Sequence, residues 1–112
     1  MNYDPARLFK ALSNESRLEI LKAVCEEGIS GTLEGRNPCV EKCSCVGDIV
    51  QRFHLAPSTI SHHIKELAQA RLVKVQRMGQ FIRVSPNPDA LKALTAFAES
   101  LLRMSRRRRS AR

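Results

Sequence analysis

Residues 55–67 read Leu-Ala-Pro-Ser-Thr-Ile-Ser-His-His-Ile-Lys-Glu-Leu, and the rest of the chain is organised around this stretch. Pro57 suits the first position of a helix, where the N–H that proline lacks is not needed. From that start, Ile60, Ile64 and Leu67 recur at the spacing of one helical face. The other face is mostly polar: Ser58, Thr59, Ser61, His62 and Lys65. The pattern therefore predicts an amphipathic helix with a polar, cationic outer face.

A second helical pattern lies directly upstream, over residues 46–53, and the chain turns between the two at residues 54–56. Its apolar positions share one helical face: Val46, Ile49, Val50 and Phe53. Two helices joined by a tight turn can present the second helix to the major groove of DNA. There the Ser58 and Thr59 hydroxyls would donate to phosphate oxygens, and Lys65 would add positive charge. Because short Ser/Thr-rich helices after turns are common, this pair alone is a weak signal.

A basic β-hairpin pattern follows the helix pair and strengthens the interpretation. Residues 72–77 and 81–85 alternate apolar positions with period two, and Gly79 between them suits a tight turn. Basic residues line the hairpin at Lys74, Arg77 and Arg83. Helix, turn, helix and basic hairpin form a winged helix-turn-helix, a mainly α fold with a small β-hairpin. We expect Arg77 and Gln80 of the wing to join the DNA-contacting set, together with His62 and His63.

Helix signals also flank this central unit. Asp4 as N-cap and Pro5 in the first turn predict a first helix over residues 4–12. Ser13 or Asn14 would cap a second helix, from residue 15 to about 27, whose inward stripe is Leu18, Leu21, Val24 and Cys25. Residues 28–38 lack periodicity and predict a loop, and a last helix follows Pro86-Asn87-Pro88. The chain is therefore expected to hold about five helices and a two-stranded wing.

The chain resembles the ArsR/SmtB family of regulators. The matching residues are 11–21 (Ala-Leu-Ser-Asn-Glu-Ser-Arg-Leu-Glu-Ile-Leu), 58–67 and 70–73 (Ala-Arg-Leu-Val), followed by the hairpin. The resemblance implies a homodimer in which the first and last helices pack against their mates. Its expected interface residues are Leu8, Leu94, Phe97 and Leu101. Members of the family have a much shorter connection than residues 28–38.

Length and charge set further expectations. The 112 residues predict one dimerising domain over 1–104 and a disordered basic tail over 105–112. The formal net charge is +8, but residues 103–112 hold six arginines and no acid, so the tail supplies most of it. An alternative is an arm that adds non-specific phosphate contacts. No apolar run of membrane-spanning length and no signal peptide is apparent, so no membrane partner and a cytoplasmic location are expected.

Four cysteines form the other informative feature: Cys25, Cys39, Cys43 and Cys45. In a cytoplasmic protein such a cluster favours metal binding or redox chemistry over stable disulfides. The family resemblance implies a sensor cysteine motif, usually Cys-Val-Cys-Asp, at the start of the helix before the recognition helix. Here residues 45–48 read Cys-Val-Gly-Asp, so Cys39 and Cys43 would supply the missing thiolates of a three-sulfur As(III) or Sb(III) site. Cys25 is expected to be a small buried residue instead.

Several alternatives remain open for the cluster and for the histidines. The thiolates could bind Zn(II), Cd(II) or Pb(II), recruiting Cys25 in a four-sulfur version, or Cys43 and Cys45 could form a dithiol switch. No organic cofactor is expected. Because no histidine lies beyond His63, a zinc site on the last helix is not expected. His54, His62 and His63 are assigned to DNA contacts or to packing.

The resulting prediction is a dimeric repressor that binds a double-stranded DNA operator and is released when the cysteine cluster is ligated. No nucleotide-binding loop or acid–base pair points to an enzyme. A hypothesis of another class is a non-sensing architectural nucleic-acid-binding protein, which would bind unrelated sequences with similar affinity.

Overall fold

The computed structural model describes residues 3–31, 44–45 and 52–110. The first two helices, α1 (Pro5–Ala11) and α2 (Glu15–Glu26), begin where their capping residues predict. The Asp4 side chain accepts from the Ala6 N–H at 3.1 Å, and the Asn14 side chain accepts from the Arg17 N–H at 3.0 Å. Gly28 follows α2 with φ of 79°, a left-handed conformation that favours glycine and ends the helix.

The β-structure is larger than a two-stranded wing. The strands are β1 (Ile29–Gly31), β2 (Ser44–Cys45), β3 (Val73–Met78) and β4 (Phe81–Pro86), in the sheet order β2-β1-β4-β3. β3 and β4 form the expected antiparallel hairpin, β1 pairs antiparallel with β4, and β2 pairs parallel with β1. The prediction of a loop from residue 28 was therefore wrong at residues 29–31. A strand of three residues is too short to show an alternation of apolar and polar positions, and β1 forms because it pairs with the neighbouring β4.

The recognition helix predicted around residues 55–67 is α3 (Pro57–Gln69), with Pro57 in its first turn. The chain enters it through His54, whose φ of 54° is left-handed, so the predicted turn after Phe53 is present. Arg52 and Phe53 are helical, whereas residues 46–51 of the predicted upstream helix lie outside the described residues. At its other end α3 ends at Gln69. Two residues further on, Arg71 adopts a left-handed φ of 65°, and the Leu72 N–H donates to the Leu67 carbonyl.

One core joins α1, α2 and α3 to the inner face of the sheet. Its largest fully buried side chains are Leu8, Val24, Ile20, Ile29, Ile60, Leu67, Leu72 and Val84. The buried stripe of α2 is Ile20, Leu21, Ala23 and Val24. This corrects the predicted stripe, because Leu18 is 43% exposed and Cys25 is exposed rather than buried. Apolar residues lie on two adjacent faces of α2, and the contacts with α3 and β4 select one of them.

The last helix, α4 (Pro88–Ser110), begins where Pro86-Asn87-Pro88 predicts but continues much further. Residues 105–110, part of the tail predicted to be disordered over 105–112, continue α4 as helix, and residues 111–112 lie outside the described residues. Arginine is a good helix former, and cations near a helix C-terminus interact favourably with its dipole. No helix within the described residues is long and apolar enough to cross a membrane.

Asn87 joins three parts of the fold at the start of α4. Its side-chain amide donates to the Arg71 carbonyl at 2.7 Å and to the Tyr3 hydroxyl at 3.1 Å, and its backbone N–H donates to the Leu72 carbonyl at 3.0 Å. The side chain is 8% exposed, so these bonds are shielded from water. Asn87 thus connects the N-terminal segment, the C-terminal end of α3 and the beginning of α4.

Candidate nucleic-acid interface

The outer face of α3 carries the side chains expected to contact DNA. Ile60, Ile64 and Leu67 are buried, whereas Ser58, His62 and Lys65 are exposed and Thr59 and Ser61 are half-buried. Ala56, the N-cap, makes no side-chain capping bond. Pro57 has no N–H, and the Thr59 and Ile60 N–H groups donate to the Ala56 carbonyl at 3.0 and 3.1 Å, so any attraction of an anion to this end of α3 comes from the helix dipole.

The wing lies beside this face and forms a groove with it. The groove has a volume of about 760 Å³. Its polar lining comes from α3 and β3: Ser58, Ser61, His62, Lys65 and Arg77. Five of the eight residues predicted to contact DNA thus converge on one surface. Of the other three, Thr59 is half-buried on α3 and is not part of the groove lining, and Gln80 is exposed at the turn of the hairpin.

The eighth residue, His63, does not belong to this surface. Its side chain is 7% exposed and lies on the buried side of α3. The assignment of His63 to DNA contact is therefore corrected in favour of packing, the alternative that the sequence left open. Burial first, then the charges of Arg17 and His62, lower the pKa of the His63 imidazole, and Glu66 opposes them. Nδ1 of His63 has no hydrogen-bond partner among the described residues.

We expect this histidine to make the fold sensitive to mild acid. The pKa of His63 is lowered in the folded chain, whereas in the unfolded chain it takes the ordinary histidine value of about 6.5. The unfolded chain therefore binds a proton at His63 more readily than the folded chain does. Stability should therefore be complete above the ordinary value and decline as the pH falls below it. Denaturant midpoints measured at about pH 7.5 and 5.5 should differ less in His63→Gln than in the wild-type protein. An equal acid sensitivity in both would contradict the role of His63.

Sequence reasoning missed the apolar floor of the groove. Ile64, Ala68, Val75 and Ile82 line it between the polar side chains. Ala68 lies in α3 and Val75 lies in β3, and the apolar spacing predicted both elements correctly. The same spacing could therefore have indicated that these two residues lie on one surface. A further apolar side chain, that of Phe81, is 37% exposed next to the hairpin turn, where the backbone of Phe81 pairs with that of Met78.

The cysteine cluster falls largely outside the described residues. Cys39 and Cys43 lie outside them, and for Cys45 only the backbone is described. Cys45 belongs to β2 and pairs with Ser30 of β1, so its backbone is extended rather than the start of a helix. Cys25 lies in the last turn of α2, where partial burial and then the Glu26 carboxylate raise the pKa of its thiol. No metal-binding group of three or more His, Cys, Asp or Glu lies within the described part of the chain.

An apolar stripe on α4 begins at residues that pack on the rest of the chain and continues to residues that are exposed. Leu94 and Phe97 are half-buried, and Phe97 packs against Phe9 of α1 with ring centroids 5.7 Å apart. Leu101 and Met104 continue the spacing of three and four residues but are 50% and 63% exposed. Leu8, in contrast, is 1% exposed in the core of its own chain, which corrects its assignment to an interface. Phe9, 46% exposed, is the α1 residue on this surface.

These features define a winged helix-turn-helix DNA-binding protein, and comparisons with known proteins assign its family. Residues 41–75 match the family described as "Bacterial regulatory protein, arsR family". The chain is 31% identical over 105 residues to the uncharacterized HTH-type transcriptional regulator YbzH of Bacillus subtilis, covering 87% of this chain and 97% of that protein. The chain belongs to the ArsR family of transcriptional regulators, which are DNA-binding proteins rather than enzymes.

A further relative resembles the chain by sequence, and a solved structure resembles it by fold. The chain is 28% identical to the arsenical resistance operon repressor of Bacillus subtilis, over 77% of this chain and 69% of that protein. Among solved structures, an ArsR-like transcriptional regulator from Rhodococcus sp. RHA1 superposes with a TM-score of 0.71 at 23% identity. That superposition covers 96% of this chain and 87% of the Rhodococcus chain, so it supports the fold over nearly the whole length.

Proposed function

We propose that the protein is a homodimeric repressor that binds a two-fold operator and leaves it when As(III) or Sb(III) binds Cys39, Cys43 and Cys45. The DNA-binding part of this proposal is supported by the groove between α3 and the wing. It combines exposed hydroxyls and cations with a helix N-terminus that lacks a side-chain cap, and these are the groups that contact phosphates and base edges.

The exposed stripe on α4 supports the dimer. A single chain leaves Leu101, Leu102 and Met104 at least half exposed, which is a poor arrangement for an isolated domain. Leu94, Phe97, Leu101 and Met104 follow the alternating spacing of a helix–helix seam. A second copy presenting the same face would cover them by two-fold symmetry. Two recognition helices would then read two half-sites about one helical turn apart.

The extended backbone at Cys45 supports a thiolate site. Alternate residues of an extended chain point to the same side, whereas residues two apart in a helix diverge by about 200°. If the extended backbone of Ser44–Cys45 continues through Cys43, which lies outside the described residues, the thiolates of Cys43 and Cys45 can bind one atom. Thiolates are soft ligands suited to soft acceptors, and the related Bacillus protein is named as a repressor of arsenical resistance. Zn(II), Cd(II) or Pb(II) binding and a Cys43–Cys45 dithiol switch are the alternatives.

Release from DNA follows from linkage between the two sites. An effector that binds the DNA-free form more tightly lowers DNA affinity, and DNA lowers effector affinity by the same factor. Cys45 is joined to β1, and β1 is joined to β4 of the wing. Ligation at the cluster would therefore act on a strand that belongs to the same sheet as the wing.

The DNA-binding part can be tested with two substitutions on α3. Lys65→Ala should weaken binding to an in vitro selected operator and to random DNA alike, and make the salt slope shallower by about 0.9 for each phosphate that Lys65 neutralises. Ser61→Ala should instead weaken binding to the operator more than to random DNA, because a base-edge contact depends on sequence. Fluorescence-anisotropy titrations across a range of salt concentrations measure both effects.

The same titrations separate the proposal from its alternatives. A Lys65→Ala protein with unchanged salt dependence would exclude the phosphate contact. A wild-type protein with nearly equal affinity for unrelated duplexes would favour the architectural, non-sensing hypothesis instead.

A further inference from the structure

A second groove flanks α3 on the side opposite the wing. It has a volume of about 710 Å³. Residues of α1 and of α2 form one wall and residues of α3 form the other: Arg7, Lys10 and Arg17 against His62, Glu66 and Gln69. His62 lines this groove and also the groove next to the wing, so the two surfaces are continuous across the exposed face of α3.

The charge of this groove is strongly positive. Three permanent cations line it, and Glu66 is the single carboxylate among its described lining residues. Arg7 and Lys10 are exposed on α1, three residues apart and thus on one side of that helix. Such a surface attracts a compact anion.

Arg17 provides a fixed cation at the base of the groove. Its Nη1 donates to the Ala11 carbonyl at 3.2 Å, which holds the half-buried guanidinium in place. Its Nε is buried and has no hydrogen-bond partner among the described residues. A positioned guanidinium loses little side-chain entropy on binding and suits a phosphate group.

We propose that this groove binds a backbone phosphate of the DNA strand on the side of α3 away from the wing. A helix in the major groove lies between two sugar–phosphate strands. Lys65 and Arg77 supply cations on the wing side, and Arg7, Lys10 and Arg17 supply them on the other side. This inference rests on the proposed DNA-binding function and adds a contact surface from α1 and α2 to it.

The test compares two charge-matched double variants of the full chain. Arg7→Gln/Lys10→Gln removes two exposed cations of the groove, and Lys22→Gln/Lys92→Gln removes two cations outside both grooves. Affinities for a selected operator and for a random duplex are measured between about 50 and 200 mM salt. If both groove side chains contact phosphate, the salt slope should become shallower by about 1.8 per protomer and about 3.6 for the dimer. For the dimer this is a roughly 150-fold smaller loss of affinity over that range.

The groove variant should affect both duplexes equally, because phosphate contacts carry no sequence information. The control variant should keep the wild-type slope. Glu66→Gln, which removes the carboxylate of the groove, should bind both duplexes about threefold more tightly.

Other outcomes would overturn the inference or the function on which it rests. A groove variant with the wild-type slope, or a control variant whose slope changes as much as that of the groove variant, would overturn the phosphate site. A wild-type protein that prefers no sequence would contradict the proposed operator function, and the comparison of slopes would still decide the groove.

Discussion

Leu101→Asp is expected to convert the dimer into monomers and to remove most of its affinity for the operator. Leu101 is 50% exposed in the single chain, so the new carboxylate stays hydrated in a monomer and the fold should keep its stability. In the dimer the same carboxylate would be buried against an apolar partner face. An unpaired buried charge costs about 3–5 kcal/mol, and each such charge therefore raises the dimer dissociation constant by a factor of roughly 150 to 4,000.

Sedimentation velocity and operator titrations measure this effect together. Ala96→Asp is the matched control, because Ala96 is exposed and lies about 140° around the same helix from Leu101. It places the same charge on α4 without entering the apolar stripe, and it should stay dimeric. Leu94→Asp should also dissociate the dimer, but Leu94 packs on the core of its own chain, so folding must be monitored in that variant. If Leu101→Asp remains dimeric, the interface lies elsewhere.

The second large effect concerns the cysteines, substituted one at a time. Cys39→Ser, Cys43→Ser and Cys45→Ser should each bind operator like the wild type, because in the proposed mechanism the ligand-free form is the one that binds DNA. Each should need more than about 100-fold more arsenite for release, since even a change beside a metal ligand costs about 10- to 100-fold in affinity. Anisotropy of an operator duplex titrated with arsenite measures this shift.

Cys25→Ser is the matched control in this series and should be released like the wild type. Cys25 lies at the end of α2, and its raised pKa leaves less of the thiolate that binds metalloids. Loss of release in Cys25→Ser would favour a four-sulfur site. Release by an oxidant but not by arsenite would favour the dithiol switch, and release by Zn(II), Cd(II) or Pb(II) alone would favour a metal sensor.

Local signals in the sequence predicted the parts of the fold that local physics determines. Asp4, Asn14 and Pro57 define the starts of three helices because caps and first-turn prolines act within a few residues. Gly79, with φ of 62°, defines the hairpin turn for the same reason. The polar face of α3 was predictable because its helical phase follows from three apolar residues.

Features that depend on distant partners could not be predicted in the same way. The strand Ile29–Gly31 exists because β4 pairs with it. Tertiary packing also decided that His63 and Leu8 are buried and that Leu18 is exposed. The second groove combines α1, α2 and α3, so no single stretch of sequence contains its pattern.

In the proposed dimer, Asn87 would couple the recognition helix α3 to α4, so that α3 would extend as an arm from the subunit contact. Asn87 holds the end of α3 to the beginning of α4, while the DNA-reading residues lie at the opposite end of α3. With 13 residues, α3 is about 20 Å long. If two protomers pivot by about 15° at their α4 helices, this arm carries Ser58 through roughly 5 Å. A small angular change at the subunit contact is thereby amplified to a distance comparable with one turn of helix.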